Sequence, residues 1–417
     1  MSPETYKSYG VSNEAASLAL KADEAVADTY KKIDEIKEYN QLKVLNAFRE
    51  CRFSDTHMGQ TTGYGYDDMG REKIEEIFAK VFGAQKAYVR MQISSGTQAI
   101  SSMLYGICRP GDTLLSVTGR PYDTLASTIG LSEESFDGSL IQYGTKYEEV
   151  ELKEDGSPDL ELIRSKITDD TKVVFIQKSR GYTGRRALLS GDIRAVCDLV
   201  HGIRKDIIVA VDNCYGEFTE KYEPCDVGAD ICAGSLIKNP GGGICPTGGY
   251  VTGREDLVEK VAQRITAPGL GSHVGPTLGF NRTIAQGLFM APHVVSECLK
   301  GAVFASRMFE MAGVKTSPSS DSVRGDIVQT VIFEDEAKLV NFCGKIQACS
   351  PVDSFVTPEP WDMPGYEDKV VMAAGAFTQG ATTELSCDGP IKPPYIAYMQ
   401  GGLVSEQCRL AVMLALS

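Results

Sequence analysis

Two residues of this chain are well placed by type and spacing to do chemistry, a lysine among glycines and an aspartate closing an apolar run. Lys238 stands in Gly234-Ser235-Leu236-Ile237-Lys238-Asn239-Pro240-Gly241-Gly242-Gly243, behind the run Ile207-Ile208-Val209-Ala210-Val211-Asp212. An amine in a loop of small residues can meet a carbonyl, because glycines let the backbone approach a bulky cofactor closely. A cationic ring nitrogen on such a cofactor needs a carboxylate partner, which Asp212 supplies. The plainer roles are a solvated surface amine for Lys238 and a turn cap for Asp212. Against the first, Lys238 is flanked by Ile237 and a Pro-Gly-Gly-Gly run rather than by other charges.

Other pieces fit the same chemistry. Ser94-Ser95-Gly96-Thr97-Gln98 follows an apolar run and opens a helical pattern, where backbone N–H groups and the helix dipole favour phosphate. The same residues also make an ordinary N-cap and turn. Tyr122, in Gly119-Arg120-Pro121-Tyr122-Asp123, can stack on a flat ring or simply pack. Ser235, three residues before Lys238, can donate its hydroxyl to the phosphate held by the Ser-Gly-Thr turn. No G-x-x-x-x-G-K-[ST] stretch, helix-opening G-x-G-x-x-G or G-x-S-x-G elbow is present, which sets aside the P-loop, dinucleotide and serine-hydrolase readings.

The elements that must position these residues alternate. Residues 12–50 and 71–82 carry helical spacing, and 51–70 reads as a long irregular segment. Short apolar runs at 87–91, 113–117, 171–176, 207–211 and 249–251 read as strands, with helical patterns such as 99–106 and 193–200 between them. Such alternation predicts a mostly parallel sheet covered on both faces. A Gly- and Pro-rich loop over 266–280 precedes a helix over 291–312 and a C-terminal α+β domain, whose first strand is expected over 327–333. The expected division is an N-terminal helical and interface segment over 1–60, a large cofactor-binding domain over 61–290 and a small domain over 291–417.

Composition bounds the partners. A length of 417 residues suits two domains, and 42% hydrophobic with 24% charged content is that of a globular protein. A net charge of −14 argues against nucleic acid or an anionic membrane, since binding phosphate arrays needs a basic face. It leaves room for one small anion in a local pocket. No run approaches the roughly 20 apolar residues that span a bilayer, and the first residues lack a signal-peptide pattern, so a cytoplasmic location is expected. The 12 cysteines form no C-x-x-C pair and there are four histidines, so no zinc pattern exists. Cys197, Cys214 and Cys232 read as reduced core residues.

The order of phosphate turn, aromatic, Asp212 and Lys238 resembles a fold-type I pyridoxal-phosphate enzyme, and within that fold the cystathionine/methionine lyase group. The stretches Thr62-Gly63-Tyr64-Gly65-Tyr66-Asp67-Asp68-Met69-Gly70-Arg71-Glu72 and Pro390-Ile391-Lys392-Pro393-Pro394-Tyr395-Ile396-Ala397-Tyr398 resemble a narrower branch. That branch is the methionine γ-lyase-like family, often labelled aluminium-resistance protein, and the likeness runs over nearly the whole chain.

The resemblance implies pyridoxal 5'-phosphate as cofactor and a carbon–sulfur lyase acting on a sulfur amino acid, by β- or γ-elimination to a 2-oxo acid, ammonia and a thiol. Lys238 would hold the cofactor as an imine and move the substrate α-proton; Asp212 would bind the pyridine nitrogen and Tyr122 would stack on the ring. Ser95, Gly96, Thr97 and Ser235 would hold the phosphate. In the group, a Tyr-x-Arg pair from a neighbouring subunit completes that site. Here the matching region reads Tyr64-Gly65-Tyr66, without the arginine; Tyr64 or Tyr66 would still reach across to the cofactor, with the usual charge either missing or supplied elsewhere, Arg71 being one source. The resemblance thus implies a homodimer or homotetramer with shared active sites. Tyr122 and Tyr64 are candidate acids for the leaving group, and Arg324 and Arg180 candidate ligands for the substrate carboxylate. The rivals are other chemistry at the same α-carbon (transamination, racemisation, decarboxylation) and a non-catalytic cofactor-binding protein.

Overall fold

The computed structural model describes residues 3–132, 137–362 and 368–417, which form two compact units: residues 40–290, and residues 1–39 together with 291–417. Residues 1–39 therefore fold with the C-terminal region, where the sequence suggested a separate segment over 1–60. The reason is visible in the long helix Asn13–Glu50. Ala15, Ala19 and Ala22 present a face of small side chains that enters the same core as Phe304, Phe309, Phe342 and Met413.

The larger unit is built on a seven-stranded sheet. Its strands are β1 (Lys86–Arg90), β2 (Thr113–Ser116), β3 (Lys146–Glu149), β4 (Thr171–Gln177), β5 (Ile208–Asp212), β6 (Ile231–Ser235) and β7 (Gly249–Gly253), in the order β1-β7-β6-β5-β4-β2-β3. From β3 to β6 the strands are parallel; β7 and β1 close the sheet antiparallel. β4, β5 and β6 bury almost every residue, as parallel strands covered on both faces must, and so read as apolar runs instead of alternating ones.

Register decides where the chemistry falls. Gln177 pairs with Asp212, and Asp212 with Ala233, so the carboxyl ends of β4, β5 and β6 open on one edge of the sheet. Open α/β sheets bind ligands at that edge. The helix Gly96–Ile107 lies over the sheet with Ile100, Met103 and Leu104 in a core shared with Phe175, Ala210, Ala233 and Val261.

The C-terminal unit carries a five-stranded antiparallel sheet of β8 (Lys315–Ser317), β9 (Val328–Ile332), β10 (Val370–Ala373), β11 (Ser386–Pro390) and β12 (Ile396–Gln400), in the order β10-β11-β12-β9-β8. Its first strand is β8, ahead of the strand expected over 327–333. The helix Asn281–Met311 starts ten residues before the expected 291, and carries Pro292 in its interior. It is long and apolar enough by composition to cross a membrane, but most of its apolar stretch is buried against protein, the mark of a core helix. All 12 cysteines are free, and among the described residues no group of three or more His, Cys, Asp or Glu stands together as a metal site.

Candidate active site

The carboxyl edge of the large sheet brings together Asp212, Lys238, Ser235, Tyr122 and the turn Ser95-Gly96-Thr97. Asp212 ends β5, buried; its Oδ1 accepts the backbone N–H of Cys214 at 3.0 Å, and the Cys214 thiol lies against the same carboxylate. Burial pushes the Asp212 carboxyl up, while Lys238 and the two Cys214 donors pull it back only in part. A buried carboxylate with so few partners is well suited to a cationic ligand group.

Lys238 follows β6 by three residues and is half-buried. Its Nζ lies 3.8 Å from the centroid of the Tyr215 ring. Burial alone lowers the ammonium's pKa, but Cys214, Tyr215 and Asp212 more than reverse this, and the amine sits above its usual value. No carboxylate stands within ion-pair distance of it among the described residues. Tyr215 has φ +69°, a left-handed backbone that side-chain-bearing residues seldom adopt.

The anion cradle is the start of the helix Gly96–Ile107. Ser95 caps it, its Oγ accepting the N–H of Gln98 at 3.0 Å, while the Gln98 side chain accepts the N–H and hydroxyl of Ser94 at 2.7 and 2.8 Å. The helix start is thereby held open, with the N–H groups of the first turn outside the helix ladder. Gly96 marks the convergence point. A Cβ added there would stand 3.3 Å from Cys214 Sγ, 3.4 Å from Ser235 Cβ and 4.0 Å from Lys238 Cε. Gly96, Ser235, Cys214 and Lys238 are thus neighbours, although they come from three separate stretches of chain.

Tyr122 joins them. Its hydroxyl donates to Thr97 Oγ1 at 3.5 Å, and its backbone N–H donates to Gln177 Oε1 at 3.3 Å. Burial, then Asp212, pushes the Tyr122 phenol above its usual value, so it is neutral at physiological pH. Thr97 also shares a hydrogen bond of 3.1 Å with Thr124. Donors for a phosphate, an aromatic face, a buried carboxylate and an amine therefore share one small space. This set fits pyridoxal phosphate in each of its parts.

The remaining selected residues make other contacts. Tyr64 and Tyr66 stack on each other at 5.4 Å between ring centroids and are 66% and 57% exposed, with no hydrogen bond to the cradle within this chain. Arg71, the suggested source of the missing charge, holds the tyrosine segment within this chain. It is buried, and its Nη1 donates to the carbonyls of Gly65 at 2.5 Å and Gly275 at 2.8 Å. It is a clasp that fixes the tyrosine segment, together with Asp68, which accepts from Arg71 N, Thr61, Thr277 and Asn281. Arg180 is fully buried in the turn after β4, its carbonyl accepting from Thr183. Arg324 belongs to the C-terminal unit, buried, with Nη2 donating to Gln329 Oε1 at 2.7 Å.

Several residues of the site carried no signal in the sequence. Cys214, read as inert core, touches Asp212 and faces Gly96. Lys178 is buried and donates from Nζ to the carbonyl of Gly216 at 3.0 Å, with Glu220 at 3.6 Å, fixing the loop that follows Asp212. Behind that loop Glu217 is fully buried; its Oε1 accepts from the Tyr250 hydroxyl at 2.7 Å and burial pushes its carboxyl up to about 8.

The family model of methionine gamma-lyase matches residues 15–417. The chain belongs to the methionine gamma-lyase family. Its relatives include "uncharacterized protein YnbB" of Bacillus subtilis, 48% identical over 94% of each chain. Among solved structures, a carbon-sulfur lyase involved in aluminum resistance from Clostridium novyi NT is 49% identical, with a TM-score of 0.95 over 99% of this chain and 97% of that one. The fold alone extends to the pyridoxal-5'-phosphate dependent protein YhfS of Escherichia coli, 16% identical with a TM-score of 0.61 over 91% of this chain and 95% of that one. Pyridoxal phosphate is the cofactor of this methionine gamma-lyase family member.

Proposed function

We propose that the protein is a pyridoxal-phosphate-dependent carbon–sulfur lyase that cleaves a sulfur amino acid by β- or γ-elimination. The observation that carries this is the convergence at Gly96, where the Lys238 side chain, Ser235 and the Cys214 that touches Asp212 all lie within van der Waals reach of one methyl-sized point at the helix start. The bound cofactor supplies a carbonyl for the substrate amine and a ring that takes up the electrons left at the α-carbon.

The residues do the rest. Lys238 binds the cofactor carbonyl, and as a free amine takes the substrate's α-proton. Asp212 keeps the ring nitrogen protonated. Ser95, Gly96, Thr97 and Ser235 hold the phosphate, with Tyr122 against the ring. Tyr122, a neutral phenol, gives a proton to the leaving thiolate in this reading, and Tyr64 is the alternative acid. Tyr64 and Tyr66, exposed in one chain, reach the site of a neighbouring copy in a homodimer or homotetramer. Arg180, three residues beyond the Asp212-paired Gln177, is our first candidate for the substrate carboxylate, and Arg324 the second.

The test is the product balance. Purified protein is given L-methionine, L-homocysteine, L-cystathionine and S-alkylcysteines, and ammonia, thiol and 2-oxo acid are measured together. Elimination consumes one water and releases the three products in equal amounts. A 2-oxo acid formed without ammonia or thiol would replace elimination with transamination, and bound cofactor with no turnover on any amino acid would refute an enzyme of this class.

A further inference from the structure

The loop behind Asp212 contains a residue that nothing in the family reading assigns. Tyr215 presents its ring to Lys238 Nζ at 3.8 Å from the centroid, and does so from a left-handed backbone, φ +69°. That conformation is held in place on several sides. Gly216 N–H donates to the Asn213 carbonyl at 2.9 Å, Lys178 Nζ donates to the Gly216 carbonyl at 3.0 Å, and Asn239 Nδ2 donates to the Glu217 carbonyl at 2.9 Å. A side-chain-bearing residue kept at positive φ by surrounding structure is a frequent mark of a functional position. The ring's partner is the one lysine selected as the cofactor's anchor.

We propose that Tyr215 is the positioning residue for Lys238, its ring face seating the amine whenever that amine is not joined to a carbonyl. The inference rests on the reading of Lys238 as the carbonyl-binding lysine. The electron-rich face of an aromatic ring attracts an ammonium group but takes no proton from it. A carboxylate in the same place would hold the lysine as a fixed ion pair, and among the described residues none lies within 4 Å. The ring thus keeps the amine at the mouth of the cradle and leaves it free to turn towards Gly96 and Ser235. The other titratable groups around the amine are Asp212, Cys214 and Tyr122, with Glu217 behind the loop. Their positions do not depend on the Tyr215 ring's electron density, which makes the ring separable by experiment.

The experiment uses the full chain stripped of cofactor. Lys238 is labelled with trace acetic anhydride across a pH series, and its modification is read by peptide mass spectrometry. Tyr215 is replaced by phenylalanine, by mono-, di- and trifluorophenylalanine, and by leucine. The fluorinated rings keep the shape and drain the face step by step, so the test survives if Tyr215→Leu fails to fold. Tyr215→Phe should keep the wild-type titration midpoint of Lys238. The fluorinated series should lower it stepwise, and Tyr215→Leu should lower it by about one pH unit, a tenfold weaker hold on the proton. A midpoint that stays flat through the fluorinated series overturns the proposal. So does a Tyr215→Phe shift as large as that of leucine, which would give the role to the hydroxyl. In parallel, each variant is reloaded with pyridoxal phosphate and reduced with borohydride. A pyridoxyl mark missing from Lys238 would refute the reading of the lysine itself, whatever the titration shows.

Discussion

Replacing Gly96 with alanine separates the seat of the phosphate from the stability of the fold. The new methyl would stand 3.3 Å from Cys214 Sγ and 3.4 Å from Ser235 Cβ, close to ordinary contact, and Gly96 is the first residue of its helix. Alanine in place of glycine favours a helix by up to about 1 kcal/mol, which offsets the slight crowding. Stability without cofactor should therefore change by less than about 1 kcal/mol. Binding should not be spared, because the methyl fills the space in front of the helix-start N–H groups. Losing one hydrogen bond to a charged phosphate costs about 1.5–3 kcal/mol, or roughly tenfold to a hundredfold in affinity. The assay is a titration of the stripped protein with pyridoxal phosphate, followed by visible absorbance, beside thermal unfolding of the same sample. Unchanged affinity with an unchanged melting temperature would refute the placing of the phosphate at this helix.

Four further outcomes follow from the same geometry. Asp212→Asn should lower turnover by about three orders of magnitude, since a contact ion pair at an effective dielectric near 20 is worth about 4 kcal/mol; steady-state kinetics check it. Glu217, with its carboxyl pushed up to about 8 by burial, binds its proton more tightly folded than unfolded, so its stabilising contribution is complete below about pH 4.5 and lost as pH rises through 8. Urea unfolding at pH 5.5 and 8 should show the wild type losing stability that Glu217→Gln retains. Asp68→Ala removes the acceptor of four donors and should cost about 2–4 kcal/mol, read by urea unfolding. Arg180→Lys should raise KM for the amino acid by about tenfold or more while the cofactor's absorbance stays normal, because lysine cannot present a paired fork to a carboxylate.

Much of the site was legible because parallel strands buried on both faces announce themselves as apolar runs. β5 (Ile-Val-Ala-Val-Asp) is such a run, and its terminal aspartate is the anomaly that made Asp212 visible. β6 was not legible, since Ile-Cys-Ala-Gly-Ser has one β-branched residue and small side chains, yet it carries Ser235 and leads to Lys238. β3, the sheet's edge strand, reads Lys-Tyr-Glu-Glu and is mostly exposed, so no alternation marks it. Cys214 and Tyr215 come two and three residues after Asp212, but only the closure of the loop by Lys178 and Asn239 brings one beside the carboxylate and the other under the amine. The packing of residues 1–39 into the C-terminal core is likewise a long-range event: an alanine face gives a helix but not its partner.

The central claim, that Lys238 is the residue joined to the cofactor, is tested most directly by reducing the purified protein with borohydride and mapping the product by peptide mass spectrometry. The account predicts one phosphopyridoxyl group per chain, on the peptide containing Lys238 and on no other. A mark on a different lysine, or a visible cofactor band that persists in Lys238→Ala and still reduces onto the chain, would contradict it.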